Sequence, residues 1–162
     1  MKKLLFLSTV FAAIFMAGCS SKAPTTTTTT TTNNEDMYSK DMASIINGIN
    51  SRVQNIYFDF DKFNIRADQQ GAINSNAALF NSGDAMDLRI LIEGNCDEWG
   101  SDEYNYALGV KRAKTAKDAL VAQGVSESRI EITSNGESKP VCTERSKACD
   151  AQNRRDEFRV MQ

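Results

Sequence analysis

The chain has 162 residues and no histidine, and that absence narrows its chemistry at once. Zinc amidase sites and His-assisted serine or cysteine mechanisms lose a usual ligand or base. No G-x-S-x-G, H-E-x-x-H or phosphate-cradling loop is present. A crowd of carboxylates remains: Glu93, Asp97, Glu98, Asp102 and Glu103. A glycosidase needs a spaced acidic pair, so a glycan-cleaving enzyme is the catalytic alternative. Acids flanking a helix start are more often solvated surface complementing the helix dipole, and no catalytic residue is assigned. Asp97 falls just past a strand end. Asn105 and Arg112, seven residues apart, share a helix face that is expected to be other than the apolar one. By spacing alone, an Asp and an Arg so placed are commonly a surface ion pair worth little.

These residues sit within a regular alternation of elements. Asn55 to Asp61 (NIYFDFD) reads as a strand rich in aromatic and β-branched residues. Ala67 to Asn81 reads as a helix with Ile73, Ala77 and Phe80 on one face. Leu88 to Gly94 is a second strand with Ile90 and Ile92 inward. Ser101 is a good N-cap for a long helix to Gln123, with Leu108, Ala113, Ala116 and Leu120 buried and Gly124 at the C′ position. Arg129 to Ser134 is a third strand, ended by the turn pair Asn135-Gly136, and Phe158 to Met161 a short last one. The expected class is α+β: a β-α-β-α-β-β sandwich with a mixed four-stranded sheet and helices on one face.

Composition is ordinary for a globular domain, with 41% apolar and 25% charged residues. The net charge of −2 offers no basic field, so nucleic acid is not an expected partner. No cofactor or metal is expected. The first segment stands apart. Lys2 and Lys3 precede an apolar run of 14 residues, Leu4 to Ala17, too short to span a bilayer comfortably and suited to a signal peptide. Met16-Ala17-Gly18-Cys19 resembles the bacterial lipobox, which implies cleavage of residues 1–18, lipidation of Cys19 and, with Ser20 following, the outer membrane. Two or more acyl chains give stable anchoring. Loss of Lys2 and Lys3 leaves 17 Lys and Arg against 21 Asp and Glu, a net −4.

Residues 19–54 are then a lipidated tether with a short helix. Thr25 to Thr32 is unbroken, and Ser20 to Asn34 has no hydrophobic face to offset ordering entropy, so disorder is expected. The reach from Cys19 to the first strand is about 120 Å fully extended and about 30–35 Å as a coil. Asp36 to Gln54 carries an amphipathic stripe of Met42, Ile45, Ile46, Ile49 and Val53. In an oxidising compartment, Cys142 and Cys149 are expected to form a disulfide across a polar loop, stiffening the run into Asn153-Arg154-Arg155. Cys96 is left over, either a small buried hydrophobe or an intermolecular bridge. Trp99 is an exposed loop aromatic or a platform for a sugar or a partner.

Three stretches carry a resemblance. YFDFDKFNIRAD (Tyr57 to Asp68), IEGNCDEWGSDEYNYALGVKRA (Ile92 to Ala113) and NRRDEFRV (Asn153 to Val160) are similar, in that order, to the signatures of the OmpA-like domain of peptidoglycan-associated lipoproteins. The resemblance covers residues 55–162. It implies a non-catalytic domain that binds the diaminopimelate of the peptidoglycan stem peptide. It also implies anchorage of the outer membrane, facing the periplasm, and a Tol-system periplasmic β-propeller as partner, in a Tol-Pal-type system supporting cell division. On matching positions, Asp97 takes the ammonium and Arg112 the carboxylate of the diamino acid, an arrangement that suits a zwitterion and the planar guanidinium fork. Phe60 and Asp61 line the groove, bordered by Asn105, Leu108 and Arg154. Asn95-Cys96 and Trp99 depart from the usual pattern around Asp97.

Overall fold

The computed structural model describes residues 32–162, with side chains from residue 39 onward. The expected leader, Cys19 and the tether up to residue 31 lie outside the described residues. Among the described residues, no helix is long and apolar enough to cross a membrane.

Eight principal elements follow in order: α1 (Thr32–Asn50), β1 (Ile56–Tyr57), α2 (Gln70–Phe80), β2 (Arg89–Asn95), α3 (Asp102–Ala122), β3 (Ile130–Gly136), α4 (Lys147–Asn153) and β4 (Arg155–Met161). The sheet order is β1-β4-β2-β3. β2 and β3 run parallel, joined through α3, whereas β4 is antiparallel to both β1 and β2. The result is the expected mixed four-stranded α+β fold.

Side-chain alternation along the strands builds the core on one face. Ile90 and Ile92 of β2, Phe158 and Val160 of β4 and Ile130 of β3 are buried with Ile73, Ala77 and Phe80 of α2 and Ala113, Ala116 and Leu120 of α3. The opposite face carries charge: Glu93 pairs with Lys139 at 3.5 Å and Arg159 at 3.1 Å, and Lys139 also reaches Glu157 at 2.8 Å. The stripe expected on α1 does pack on the domain, with Ile49 buried and Met42, Ile45, Ile46 and Val53 partly so. α1 begins at Thr32, inside the run expected to be disordered. Its last residue, Asn50, accepts from Val160 N (2.7 Å) and donates to Val160 O (3.2 Å).

Four element boundaries depart from expectation. β1 has two residues, not seven, because the carbonyls of Phe58, Asp59 and Lys62 accept from guanidinium groups instead of a strand, and Asp61 adopts a left-handed φ of 55°. β4 starts three residues early, at Arg155, its charged opening having masked a strand. The loop between Ser138 and Arg154 holds α4, N-capped by Ser146 accepting from Cys149 N at 3.2 Å. β3 runs two residues past its expected end at Ser134, taking in the Asn135-Gly136 pair, with Gly136 at φ 53° paired to Asn95.

Two features hold unusual tension. A Cβ at Gly94 would lie 2.0 Å from the Gly109 carbonyl oxygen, so β2 and α3 meet backbone to backbone. Gly94→Ala should therefore destabilise the domain by about 1–3 kcal/mol or more, read as a lowered chemical-denaturation midpoint; an unchanged midpoint would contradict this packing. The other is Asp156, fully buried on β4 with both carboxylate oxygens lacking a hydrogen-bond partner. Burial pushes its carboxyl well above the usual range, with Arg112 only partly opposing. The folded state thus holds a proton that the unfolded chain releases more readily, so stability present at low pH is lost as pH rises above the ordinary Asp value. Asp156→Asn should leave stability near wild type at pH 4 and exceed it at pH 8, with a flatter profile in pH-dependent unfolding.

Candidate functional site

The site is organised around Arg112, which is fully buried. Its Nε donates to Lys62 O (2.9 Å), Nη1 to Asn95 O (2.8 Å) and to Cys96 Sγ (3.4 Å), and Nη2 to Asp59 O (3.3 Å). The guanidinium also lies over the Phe58 ring, 5.1 Å from its centroid. Burial lowers its pKa, opposed by Cys96, Asp156 and Asp97, and a guanidinium remains charged regardless. Arg112 therefore ties the Asp59–Lys62 turn to the end of β2.

This corrects the expectation that Arg112 looks across an open cleft. Asn105, Leu108, Arg112 and Ala116 all fall on the buried face of α3; the polar pair shares the apolar stripe instead of occupying a separate one.

Asp97 is 3% exposed and pairs with a different guanidinium: Arg154 Nη1 donates to its Oδ2 at 2.9 Å. Arg154 Nε donates to Phe58 O at 3.1 Å, and the Arg154 side chain keeps 13% of its surface open. Asn105 supports the same loop from beneath. Its Nδ2 donates to Asp97 O (3.3 Å) and to the Glu137 carboxylate, while its Oδ1 has no partner. Cys96 is free and buried, and burial pushes its thiol up to about 11.

Above this base lies a groove of about 260 Å³, lined by Phe60, Asp61, Asp97, Trp99, Gly100, Tyr104 and Leu108. The structure thus brings together four of the residues singled out in the sequence, Phe60, Asp61, Asp97 and Leu108. Arg154 adjoins through Asp97, whereas Asn105 and Arg112 lie below. Sequence reasoning missed Tyr104, whose hydroxyl donates to the Asp61 carboxylate, raising the pKa of the tyrosine. Its position four residues before Leu108 would have placed both on one helix side. A larger cleft of about 770 Å³, lined by Asp102, Glu103, Tyr106, Glu137 and neighbours, has three acids and no cation, so it lacks the paired charges a zwitterion needs.

The loop behind Arg154 is stapled. Cys142 and Cys149 are disulfide-bonded with Cα atoms 5.2 Å apart. Asn153 Oδ1 accepts from Val141 N (2.9 Å) and Cys142 N (3.1 Å), and its Nδ2 donates to Cys142 O (2.8 Å). The residue preceding Arg154 is thereby fixed to the staple.

Comparison with known proteins agrees with this architecture. Residues 57–154 match the OmpA family model. A peptidoglycan-associated lipoprotein of Pasteurella multocida is 36% identical over 110 residues, 68% of this chain and 72% of that protein. One from Pseudomonas putida is 31% identical over 160 residues, covering 95% of each. The crystal structure of the peptidoglycan-associated lipoprotein from Burkholderia pseudomallei superimposes with a TM-score of 0.63 at 38% identity, covering 67% of this chain and 90% of that one. With this fold, this groove and relatives matching nearly end to end, the chain belongs to the peptidoglycan-associated lipoproteins of the OmpA family.

Proposed function

We propose that this protein binds peptidoglycan non-covalently through the diaminopimelate of the stem peptide. On this reading Cys19 carries the lipid that anchors it in the outer membrane, facing the periplasm. The chain then links membrane to wall within a Tol-Pal-type system that supports envelope integrity and cell division. The observation that carries the reading is a charge pair, Asp97 and Arg154 at 2.9 Å, adjoining an open groove walled by Phe60, Tyr104 and Leu108. The free end of diaminopimelate presents an ammonium and a carboxylate on one carbon. Asp97 takes the ammonium. The remaining N–H groups of Arg154 take the carboxylate, as a guanidinium can. Asp61 and Phe60 line the groove beside the pair, and Leu108 packs on the aliphatic stem. Arg112 and Asn105 act as positioning residues, holding the carbonyls and the loop that set the groove's shape.

Binding is favoured over cleavage because the two groove acids are engaged: Asp61 accepts from Tyr104 and Asp97 is paired with Arg154. The Tol-system β-propeller partner belongs to the same surface, so free stem peptide should displace it.

The test is retention on purified sacculi. Asp97→Ala should weaken binding by about 10- to 150-fold, equivalent to about 1.5–3 kcal/mol, with no peptidoglycan fragments released by any form. Arg154→Lys, which keeps charge but loses the fork, should weaken binding by a similar or smaller factor. Wild-type retention by Asp97→Ala would overturn the site. If Arg112→Lys abolishes binding in a folded protein while Arg154→Lys binds normally, the carboxylate is held by Arg112 in exchange for the Asp59 carbonyl.

A further inference from the structure

Trp99 stands at a junction. It lines the groove above Asp97, and it also lines an adjoining cleft of about 490 Å³ formed with Glu98, Arg145, Ser146, Lys147 and Asp150. An exposed aromatic by itself needs no explanation. This one is 59% exposed yet held in place, its indole Nε1 donating to Asp150 Oδ2 at 3.1 Å. Asp150 lies on α4, directly after Cys149 of the Cys142–Cys149 disulfide. Phe60 at 59% and Tyr104 at 51% exposure flank it along the groove. Three rings are thus presented to solvent around one acidic base, two of them pinned by polar tips.

We infer that Trp99 is a stacking platform for the glycan strand of the wall, extending the binding site from the peptide onto the sugar. The inference rests on the peptide-binding reading above. The chemistry of the cleft fits this occupant. A pyranose ring has an apolar C–H face that lies flat on an aromatic ring, and polar edges that need donors and acceptors. Beside Trp99 the cleft offers an acid, Glu98, and two exposed cations, Arg145 and Lys147. An apolar surface with a few convergent polar groups is the usual make-up of a small-molecule site. The geometry fits as well: the stem peptide is covalently joined to an amino sugar, so a peptide seated over Asp97 keeps a sugar within a few residues' reach of the groove. The second cleft begins where the first ends, with Trp99 common to both.

Trp99 is the single tryptophan of the chain, so its fluorescence reports on this spot alone. The test titrates the full mature chain with two ligands, a disaccharide carrying the diaminopimelate stem peptide and the same peptide without sugar. The disaccharide ligand should bind about tenfold tighter and shift the Trp99 emission further than the bare peptide does. Trp99→Ala, followed by calorimetry, should lose that tenfold advantage, bringing the affinities for the two ligands within about twofold of each other whatever the bare peptide itself loses; Trp99→Phe should keep most of it. Equal wild-type affinity for the two ligands would overturn the inference. So would an equal loss of both ligands in Trp99→Ala, which would make the indole a brace for the α4 loop, or a loss confined to capture of a protein partner. If the bare peptide fails to bind while the sugar-bearing ligand binds through Trp99, the peptide assignment falls and the glycan platform stands.

Discussion

One buried cation organises this end of the molecule. The Arg112 guanidinium reaches three backbone carbonyls from two separate segments, the Asp59–Lys62 turn and the end of β2 at Asn95. Placing a full charge at zero exposure is costly unless it is bonded and partnered. Here the carbonyls, the Phe58 ring and the nearby Asp97 share the compensation. Everything on the groove's two walls follows from that tie. Phe60 and Asp61 ride on the turn that Arg112 holds, and Asp97 follows directly on the strand end that it holds. Removing it would leave the carbonyls unsatisfied and the walls unconnected, so the site depends on a residue that the groove does not expose.

The tail of the domain shows how one run of charge divides its labour. Arg154, Arg155 and Asp156 are consecutive at the junction where α4 ends and β4 begins, and they turn different ways. Arg154 turns to Asp97 and the groove. Arg155, buried, donates to Glu157 and to the carbonyls of Asn153 and Lys139, bracing the loop after β3. Asp156 enters the interior beside Arg112 without a hydrogen bond of its own. The disulfide and Asn153 fix the start of this run, so the staple bears on all three positions.

Much of this was legible in the residues. The apolar periodicity of α2, β2 and α3 placed those elements and their buried faces, because burial of Ile73, Ile90, Ile92, Ala116 and Leu120 follows directly from spacing. Phe60, Asp61, Asp97 and Leu108 were readable from motif order. What escaped was long-range. No local pattern reveals that carbonyls after Tyr57 will be claimed by arginines 50 and 96 residues away, so the residues of this stretch read as a longer β1 than the fold allows. A charged opening hid the start of β4, since burial of Asp156 depends on β1 and β2 flanking it. An arginine reads as exposed, which puts Arg112 on an expected polar face, although its spacing from Leu108 and Ala116 sets it on the buried stripe.

The brevity of β1 has a further consequence. β1 pairs only with Arg155 and Asp156, which leaves the outer edge of β4 beyond them without a strand neighbour. An open edge of alternating apolar residues invites pairing with another copy. α1 covers it: Asn50 supplies an acceptor and a donor to Val160 as a one-residue substitute strand, and Ile49 seals the apolar side. The helix leading into the domain is therefore also its guard against self-association, and trimming the chain back to Asn55 would uncover a template for aggregation along β4.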